Sequence, residues 1–375
     1  MSAQRVGAGP VPSRHKPIED AMTTYRIALI PGDGIGHEVM PEGVRVLEQA
    51  GAKFGFDFKW DEFPWSCEYY KQHGEMMPKD GLAQIRTHDG IYLGAVGFPG
   101  VPDHISLWGL LLPIRRGFDQ YVCLRPIRLI RNIVSPLRGR EAGDIDFVLV
   151  RENTEGEYSD IGGITGEGTA DERVVQESIF TRKGVDRILR YAFETARSRP
   201  RKRLAWATKS NGIYISMPYW DERARLMAEQ YPDVTADVYH IDILAAHFVQ
   251  NPDRFDVVVA SNLFGDILSD LGSGCTGTIA IAPSANINPE RKFPSMFEPV
   301  HGSAPDIFGR NIANPIGQIW SGAMMLEHLG HKAAATAIVE AIETVLDDGP
   351  RTRDLGGTAS TQEVGKAIEE ALRNA

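Results

Sequence analysis

An α/β fold is predicted for this chain by three observations. Short β-branched or apolar runs alternate with amphipathic helical stretches along most of its length. The first run, Tyr25–Ile30, passes through a glycine turn, Pro31-Gly-Asp-Gly-Ile-Gly36, into a helical stretch from about His37 to Ala50. A later run, Phe255–Ser261, passes through Asn262-Leu-Phe-Gly265 into a second helical stretch. The first turn reads G-x-G-x-G, which departs from the G-x-G-x-x-G of the dinucleotide fingerprint, so the expected fold is not a Rossmann fold.

The 375 residues, 42% apolar, suffice for one large or two moderate domains with a sizeable core. A formal charge of -10 and a pI near 5.5 exclude the basic footprint of a nucleic-acid binder. If the substrate is also an acid, positive charge must be gathered locally, so clustered arginines become informative. Cys67, Cys123 and Cys275 are odd in number and widely spaced, which points to reduced thiols in a cytoplasmic protein. No apolar run approaches the ~20 residues that cross a membrane. Residues 1–24 are rich in Gly, Pro and Ser, lack an apolar core and read as a disordered extension.

After the glycine turn, strands are expected at Phe56–Phe63 and Ile91–Ala95. Arg115, Arg125 and, after a strand from Ile145 to Val150, Arg151 each adjoin apolar sequence. A buried guanidinium needs an acidic partner, either a structural carboxylate or an anionic ligand. The glycine-rich stretch to Gly168 and a strand over Arg173–Phe180 suggest an arm reaching towards a partner subunit. Behind Thr181 as cap, Val185, Ile188, Leu189, Ala192, Phe193 and Ala196 repeat at helical spacing. Arg201-Lys-Arg203 reads as a solvated charge cluster. Helices are expected over Pro315–Leu329 and Ala333–Leu346 and after Thr361.

Asp266 and Asp270 lie four apart and share a helical face beyond the end of a strand. Two like charges so placed repel unless a cation lies between them, and hard oxygen donors suit Mg2+ or Mn2+. The ordinary alternative is a pair of solvated surface acids. Two other strands end in ionisable residues, Lys209 after Leu204–Thr208 and Asp242 after Val238–Ile241. In α/β sheets ligands bind beyond the carboxyl ends of the strands, so Lys209, Asp242, Asp266 and Asp270 are candidates for one site.

Six stretches, PGDGIG at 31–36, LRP at 124–126, VRENTEGEYS at 150–159, TKSNG at 208–212, SNLFGDILSD at 261–270 and EPVHGSAPD at 298–306, resemble the metal-dependent β-decarboxylating dehydrogenases. The resemblance runs from about residue 25 to the C-terminus. CEYY at 67–70, PDHISLWG at 102–109 and SMPYWDER at 216–223 look most like the branch acting on tartrate and D-malate. The resemblance implies two α/β domains, residues 25–120 with 277–375 and residues 121–276, with the active site in the cleft between them and a homodimer formed by the second. It implies that Arg115, Arg125 and Arg151 clamp the substrate carboxylates, and that Trp108, Leu111 and Leu112 face its C3 substituent. Tyr158 and Lys209 would be the acid/base pair. Asp266, Asp270 and Asp242 would hold Mn2+ or Mg2+, with Lys209 and Asp242 coming from the other subunit.

His301, Gly302, Ser303, Ala304, Asp306 and Asn314 would bind the adenosine of NAD, with Asp306 and Ile307 disfavouring a 2′-phosphate. Activation by K+ is a further implication. The implied reaction is NAD-dependent oxidative decarboxylation of D-malate to pyruvate and CO2, with tartrate as a second substrate. The alternatives are oxidation of 3-isopropylmalate and a non-catalytic protein that binds metal or nucleotide. Two positions depart from the family pattern: Cys123, where Asn commonly stands, and Pro113, which should kink a helix or remove one of its bonds.

Overall fold

A computed structural model describes residues 22–277 and 279–375, so the extension expected over 1–24 lies almost wholly outside the described residues. The strands are β1 (Thr23–Gly32), β2 (Phe56–Glu62), β3 (Gly90–Ala95), β4 (Val122–Arg128), β5 (Asp146–Glu152), β6 (Gly162–Thr165), β7 (Arg173–Gln176), β8 (Arg203–Thr208), β9 (Thr235–His240), β10 (Val257–Ala260), β11 (Pro283–Ile287) and β12 (Ser295–Pro299). β6 and β7 pair with each other, and the rest form one sheet in the order β2-β1-β3-β12-β11-β4-β5-β10-β8-β9.

Both flanks of this sheet are parallel. β2, β1, β3 and β12 run together on one side, and β5, β10, β8 and β9 on the other. β11 and β4 are antiparallel to both their neighbours and join the flanks. Parallel pairs need crossover helices, which cover both faces and require strands apolar on both sides. β3 and β10 are accordingly buried at every residue.

The helices follow the sequence cues. The Gly36–Phe54 helix stops at Gly55, whose left-handed φ of 82° lets its N–H reach the Gly51 carbonyl. The Arg182–Ser198 helix starts where the Thr181 hydroxyl accepts the Gly184 N–H, and it buries the expected stripe of Val185, Ile188, Leu189, Ala192, Phe193 and Ala196. Each large side chain of such a stripe contributes roughly 1.5–3 kcal/mol by burial. The Thr361–Asn374 helix opens with a reciprocal capping box between Ser360 and Glu363. Among the described residues no helix is long and apolar enough to cross a membrane.

Two expectations change, and the strand β11 was not foreseen. β11 carries Pro and Asn and has weak strand propensity, yet all its residues are buried between β12 and β4, so tertiary placement overrides composition. Arg201-Lys-Arg203 is not merely solvated: Arg201 donates to the carbonyls of Phe255 and Asp253, Lys202 lies 3.4 Å from Asp233, and Arg203 lies 3.4 Å from Asp237. Pro113 neither breaks nor ends its helix. The turn before it, Leu107–Leu111, is widened into a π-helix between the α-helical Asp103–Ser106 and Leu112–Gly117. The Leu112 N–H then bonds to the Leu107 carbonyl, five residues back, and the widened turn accommodates the proline ring.

Candidate active site

β10 passes through Ser261 into the Asn262–Thr276 helix, which places Asp266 and Asp270 one turn apart on one face. Gly265 lets this helix lie directly on β5, since a Cβ there would come within 2.6 Å of Arg151 Cβ. Arg151, 2% exposed, donates from Nε and Nη2 to Asn262 Oδ1 at 3.0 and 2.7 Å and from Nη1 to Asp266. Alternation along β4 sets Arg125 on the face that carries Cys123. Arg125 Nη1 lies 3.4 Å from Asp270 Oδ1 and 3.8 Å from Asp266 Oδ1, and it donates to the Ser269 hydroxyl. Arg115 Nη2 donates to Glu298 Oε1 at 2.7 Å, and Asn286 donates to the same oxygen at 2.7 Å. The Tyr158 hydroxyl donates to Asp266 Oδ2 at 2.7 Å.

Arg115, Arg125, Arg151, Tyr158, Asp266 and Asp270 therefore meet in one place. Burial pushes the Asp266 carboxyl up, but the Arg151 charge, the Tyr158 phenol and the Arg125 and Arg115 charges outweigh it and hold the group below the usual range. Asp270 is raised by burial and by its neighbour Asp266, against the pull of Arg125. Burial, together with the hydrogen bond to Asp266, pushes the Tyr158 phenol up to about 12, so it stays protonated at neutral pH. Nε of both Arg115 and Arg125 is buried with no hydrogen-bond partner among the described residues. Unsatisfied guanidinium donors are costly unless an acceptor arrives, and they fit an added carboxylate.

Lys209 and Asp242 pair with each other at 3.0 Å, which holds the Asp242 carboxyl low. The carboxyl ends of β5, β10, β8 and β9 do share one edge of the sheet. The chain nevertheless does not gather the four candidates into one cluster, and among the described residues no three His, Cys, Asp or Glu side chains converge on a metal position. β9 stands two strand spacings from β10, roughly 10 Å across the sheet.

On the other flank, His301, Ala304 and Asn314 line a cavity of about 350 Å3 with Ile35, Ile307 and Asp354. His301 Nε2 is buried with no partner among the described residues, and Asn314 Nδ2 donates to Asp354 at 2.9 Å. These groups fit a planar heterocycle carrying hydrogen-bonding edges. Ser303 fixes the wall: its carbonyl accepts the Ile35 N–H at 2.9 Å, its hydroxyl donates to the Gly97 carbonyl, and a Cβ on Gly34 would meet that Ser303 oxygen at 2.1 Å. Gly302 and Asp306 are exposed and line no part of the cavity.

Of the residues expected to face a C3 substituent, Leu112 is buried, Leu111 packs partly on the core, and Trp108 stacks against Arg116, 4.9 Å from its ring centre. Arg116 in turn donates to the Tyr158 carbonyl, which joins Trp108 to the loop that carries Tyr158. Cys123 Sγ lies 3.6 Å from Ser284 Oγ, a weak contact in place of an amide hydrogen bond. A roomier cavity of about 610 Å3 lies behind this site, against Leu124, Pro126 and Val148, the residues of β4 and β5 that alternate with Arg125 and Arg151. It contains none of the groups that could carry chemistry described above.

Sequence reasoning missed Asn262, Glu298, Asn286 and Ser269, which orient the three arginines. A carboxylate in the apolar β12 was the one visible signal, for Glu298.

The family model for isocitrate/isopropylmalate dehydrogenase matches residues 26–368. The chain belongs to this family. It is 64% identical over 354 residues to D-malate dehydrogenase [decarboxylating] of Escherichia coli, covering 92% of this chain and 98% of that protein. To the tartrate dehydrogenase/decarboxylase of Pseudomonas putida it is 63% identical over 357 residues, covering 93% and 98%. The crystal structure of isocitrate dehydrogenase from Methylococcus capsulatus superposes with a TM-score of 0.83 at 34% identity, covering 93% of this chain and 99% of that one. The mixed α/β fold built on one large sheet is thus shared with a solved isocitrate dehydrogenase, and the chain is a dehydrogenase of that family.

Proposed function

We propose that this dehydrogenase oxidatively decarboxylates D-malate to pyruvate and CO2 with NAD and a divalent metal, and accepts tartrate as a second substrate. The observation that carries the reading is the gathering of three buried arginines beside a protonated Tyr158, Arg125 and Arg151 paired with Asp266 or Asp270 and Arg115 with Glu298, with Nε of Arg115 and Arg125 lacking a hydrogen-bond partner among the described residues. Similarity to the D-malate and tartrate enzymes supports the choice of substrate.

Asp266 and Asp270, with the partner subunit's Asp242, would hold Mn2+ or Mg2+; bound there, the ion supplies Lewis-acid polarisation of the substrate oxygens, as the nicotinamide supplies hydride acceptance. The arginines bind and orient the two carboxylates, bidentate geometry fixing which face of C2 is presented. The partner subunit's Lys209 takes the hydroxyl proton as C2 is oxidised. Loss of CO2 leaves an enolate, and Tyr158, with its phenol still protonated, delivers the proton to C3 to give pyruvate and a phenolate. The cavity around His301 and Asn314 holds the adenosine, and Asp306, which precedes Ile307 of its lining, favours free ribose hydroxyls over a 2′-phosphate.

A dimer follows from the same reading, because Lys209 and Asp242 stand apart from Asp266 within one chain. Apolar surface is available for it: Ile243, Ile267 and Val238 are exposed near the Asp242 edge, as are Ile164 and Val174 on the β6–β7 hairpin. The testing experiment measures NADH formation with Mn2+ against D-malate, L-tartrate, meso-tartrate, 3-isopropylmalate and isocitrate, then repeats the best substrate with NADP. Preference for 3-isopropylmalate, or equal efficiency with NADP, would overturn it.

A further inference from the structure

Glu157, immediately before Tyr158, reaches across to the start of the Asn262–Thr276 helix. Its Oε1 accepts the Ser261 hydroxyl at 2.7 Å and its Oε2 accepts the Leu263 N–H at 3.1 Å. Ser261 is the N-cap residue of this helix, yet its own side chain makes no capping bond. The hydroxyl that would ordinarily cap the helix is turned to Glu157, and a carboxylate from another segment takes one of the free N–H groups of the first turn. One turn later the next residue of the same loop, Tyr158, bonds to Asp266. Two consecutive loop residues thus hold two consecutive turns of the helix that carries Asp266 and Asp270.

The rest of the loop is tied elsewhere. The Glu152 carboxylate accepts the N–H groups of Thr154 and Glu155, and the Glu155 carboxylate accepts the Thr181 N–H. The Glu155 carbonyl accepts Asn262 Nδ2 at 3.1 Å, which fixes the loop before Glu157 but not after it. The Glu157 carbonyl accepts Gln176 Nε2 at 3.1 Å and the Tyr158 carbonyl accepts Arg116, bonds that hold the loop to its other neighbours, so the Glu157 carboxylate is the tie between the segment at Tyr158 and the start of the helix.

We propose that Glu157 is a positioning residue, which sets the register between Tyr158 and the Asp266–Asp270 helix so that the phenol faces the reacting carbon. This rests on the role given to Tyr158 above. Glu157 touches no reacting atom; it acts through the loop backbone and the helix N-terminus.

The chemistry of the contact allows a discriminating test. In Glu157→Ala the Ser261 hydroxyl is released and can cap the helix itself, so the helix keeps its stability while the tie to Tyr158 is lost. In Glu157→Gln the amide oxygen can accept the Leu263 N–H and the amide nitrogen can donate to Ser261 Oγ, so the tie survives without the charge. Two measurements are made on the full-length protein, wild type and both variants. The first is steady-state kinetics with D-malate and Mn2+. Glu157→Ala should lower kcat about 100-fold, the scale of a 1 Å misplacement, with KM changed less than about three-fold, and Glu157→Gln should recover most of the loss.

The second is 19F NMR of protein labelled with 3-fluorotyrosine. The Tyr158 resonance is assigned among 11 tyrosines by its absence in Tyr158→Phe. It should move and broaden in Glu157→Ala and keep its wild-type position in Glu157→Gln. The proposal is overturned if Glu157→Ala leaves the resonance unmoved, or if Glu157→Gln behaves as Glu157→Ala. It is overturned equally if loss of kcat is matched by a Tm fall of more than about 5 °C, which marks a general loss of stability. If wild type turns over no hydroxy acid, the functional reading fails, and the resonance still reports on Glu157 separately.

Discussion

Arg125 Nη1 lies between the two carboxylates of the Asn262–Thr276 helix, 3.4 Å from Asp270 Oδ1 and 3.8 Å from Asp266 Oδ1. Two like charges one helical turn apart are compensated here by a guanidinium, which occupies the electrostatic role expected of a cation. The Asp270 side chain remains 60% exposed, so it is available to an ion arriving from solvent.

Asp270→Asn should therefore weaken Mn2+ binding by at least about ten-fold, as loss of one charged oxygen ligand implies. An exposed carboxylate adds little to stability, so Tm should move by less than about 2 °C. Titration of Mn2+ by electron paramagnetic resonance checks the first and thermal unfolding the second. Unchanged affinity would remove Asp270 from the metal assignment.

Lys209 and Asp242 pair with each other, away from Asp266. If they serve the site of the partner subunit, then Lys209→Met and Asp270→Asn subunits, each inactive alone, should complement when mixed. Random exchange of equal amounts gives intact sites at about a quarter of the wild-type number. Activity after proven exchange is the readout, and none recovered would place Lys209 and Asp242 outside the shared site.

Trp108 stacks on Arg116, and Arg116 holds the Tyr158 carbonyl. Trp108→Ala should open space at C3 and raise activity on 3-isopropylmalate relative to D-malate. The steric worth of an alkyl group, ~1–3 kcal/mol, limits the change in ratio to roughly 10–200-fold. The kcat/KM ratio of the two substrates measures it. A proportional loss on both substrates would mean that Trp108 acts only by holding Arg116.

His328 is partly buried near Arg291, with Nε2 3.1 Å from Ser295 Oγ; burial and then the Arg291 charge bring its pKa down to about 4. The fold thus favours the neutral imidazole, whereas the unfolded chain binds the proton below about 6.5. Between those two values the unfolded state carries more protons, so stability rises with pH through the window and is complete above it. Acidification from pH 7 to 4 should cost roughly 3 kcal/mol from this group alone. Urea unfolding of wild type and His328→Gln at pH 4.5 and 7 tests it: the variant should lose much of the pH dependence, and equal slopes would refute the assignment.

The sequence by itself determined the alternation of strands and helices, the glycine turn at 31–36, the cap at Thr181, and the shared face of Asp266 and Asp270. These features depend on local chemistry: side-chain period, backbone freedom and short-range hydrogen bonds operate within a few residues. It also marked Arg115, Arg125 and Arg151 as candidates, because charged groups embedded in apolar sequence must find partners, whereas Tyr158 was implied by the family resemblance.

Only the tertiary structure decided what those partners are. Glu298 reaches Arg115 across 183 positions, and Asn262 reaches Arg151 across 111, distances at which nothing in the local pattern constrains a side chain. Strand order did the same for Lys209 and Asp242. Their sequence positions matched those of Asp266 and Asp270 at strand ends, but β8 intervenes between β9 and β10 and sets Asp242 two strands away, while Lys209, at the end of β8, pairs with Asp242. The π-helical turn before Pro113 is likewise a tertiary outcome: the backbone widens locally, which leaves Arg115 and Ile114 buried where a broken helix would have released them.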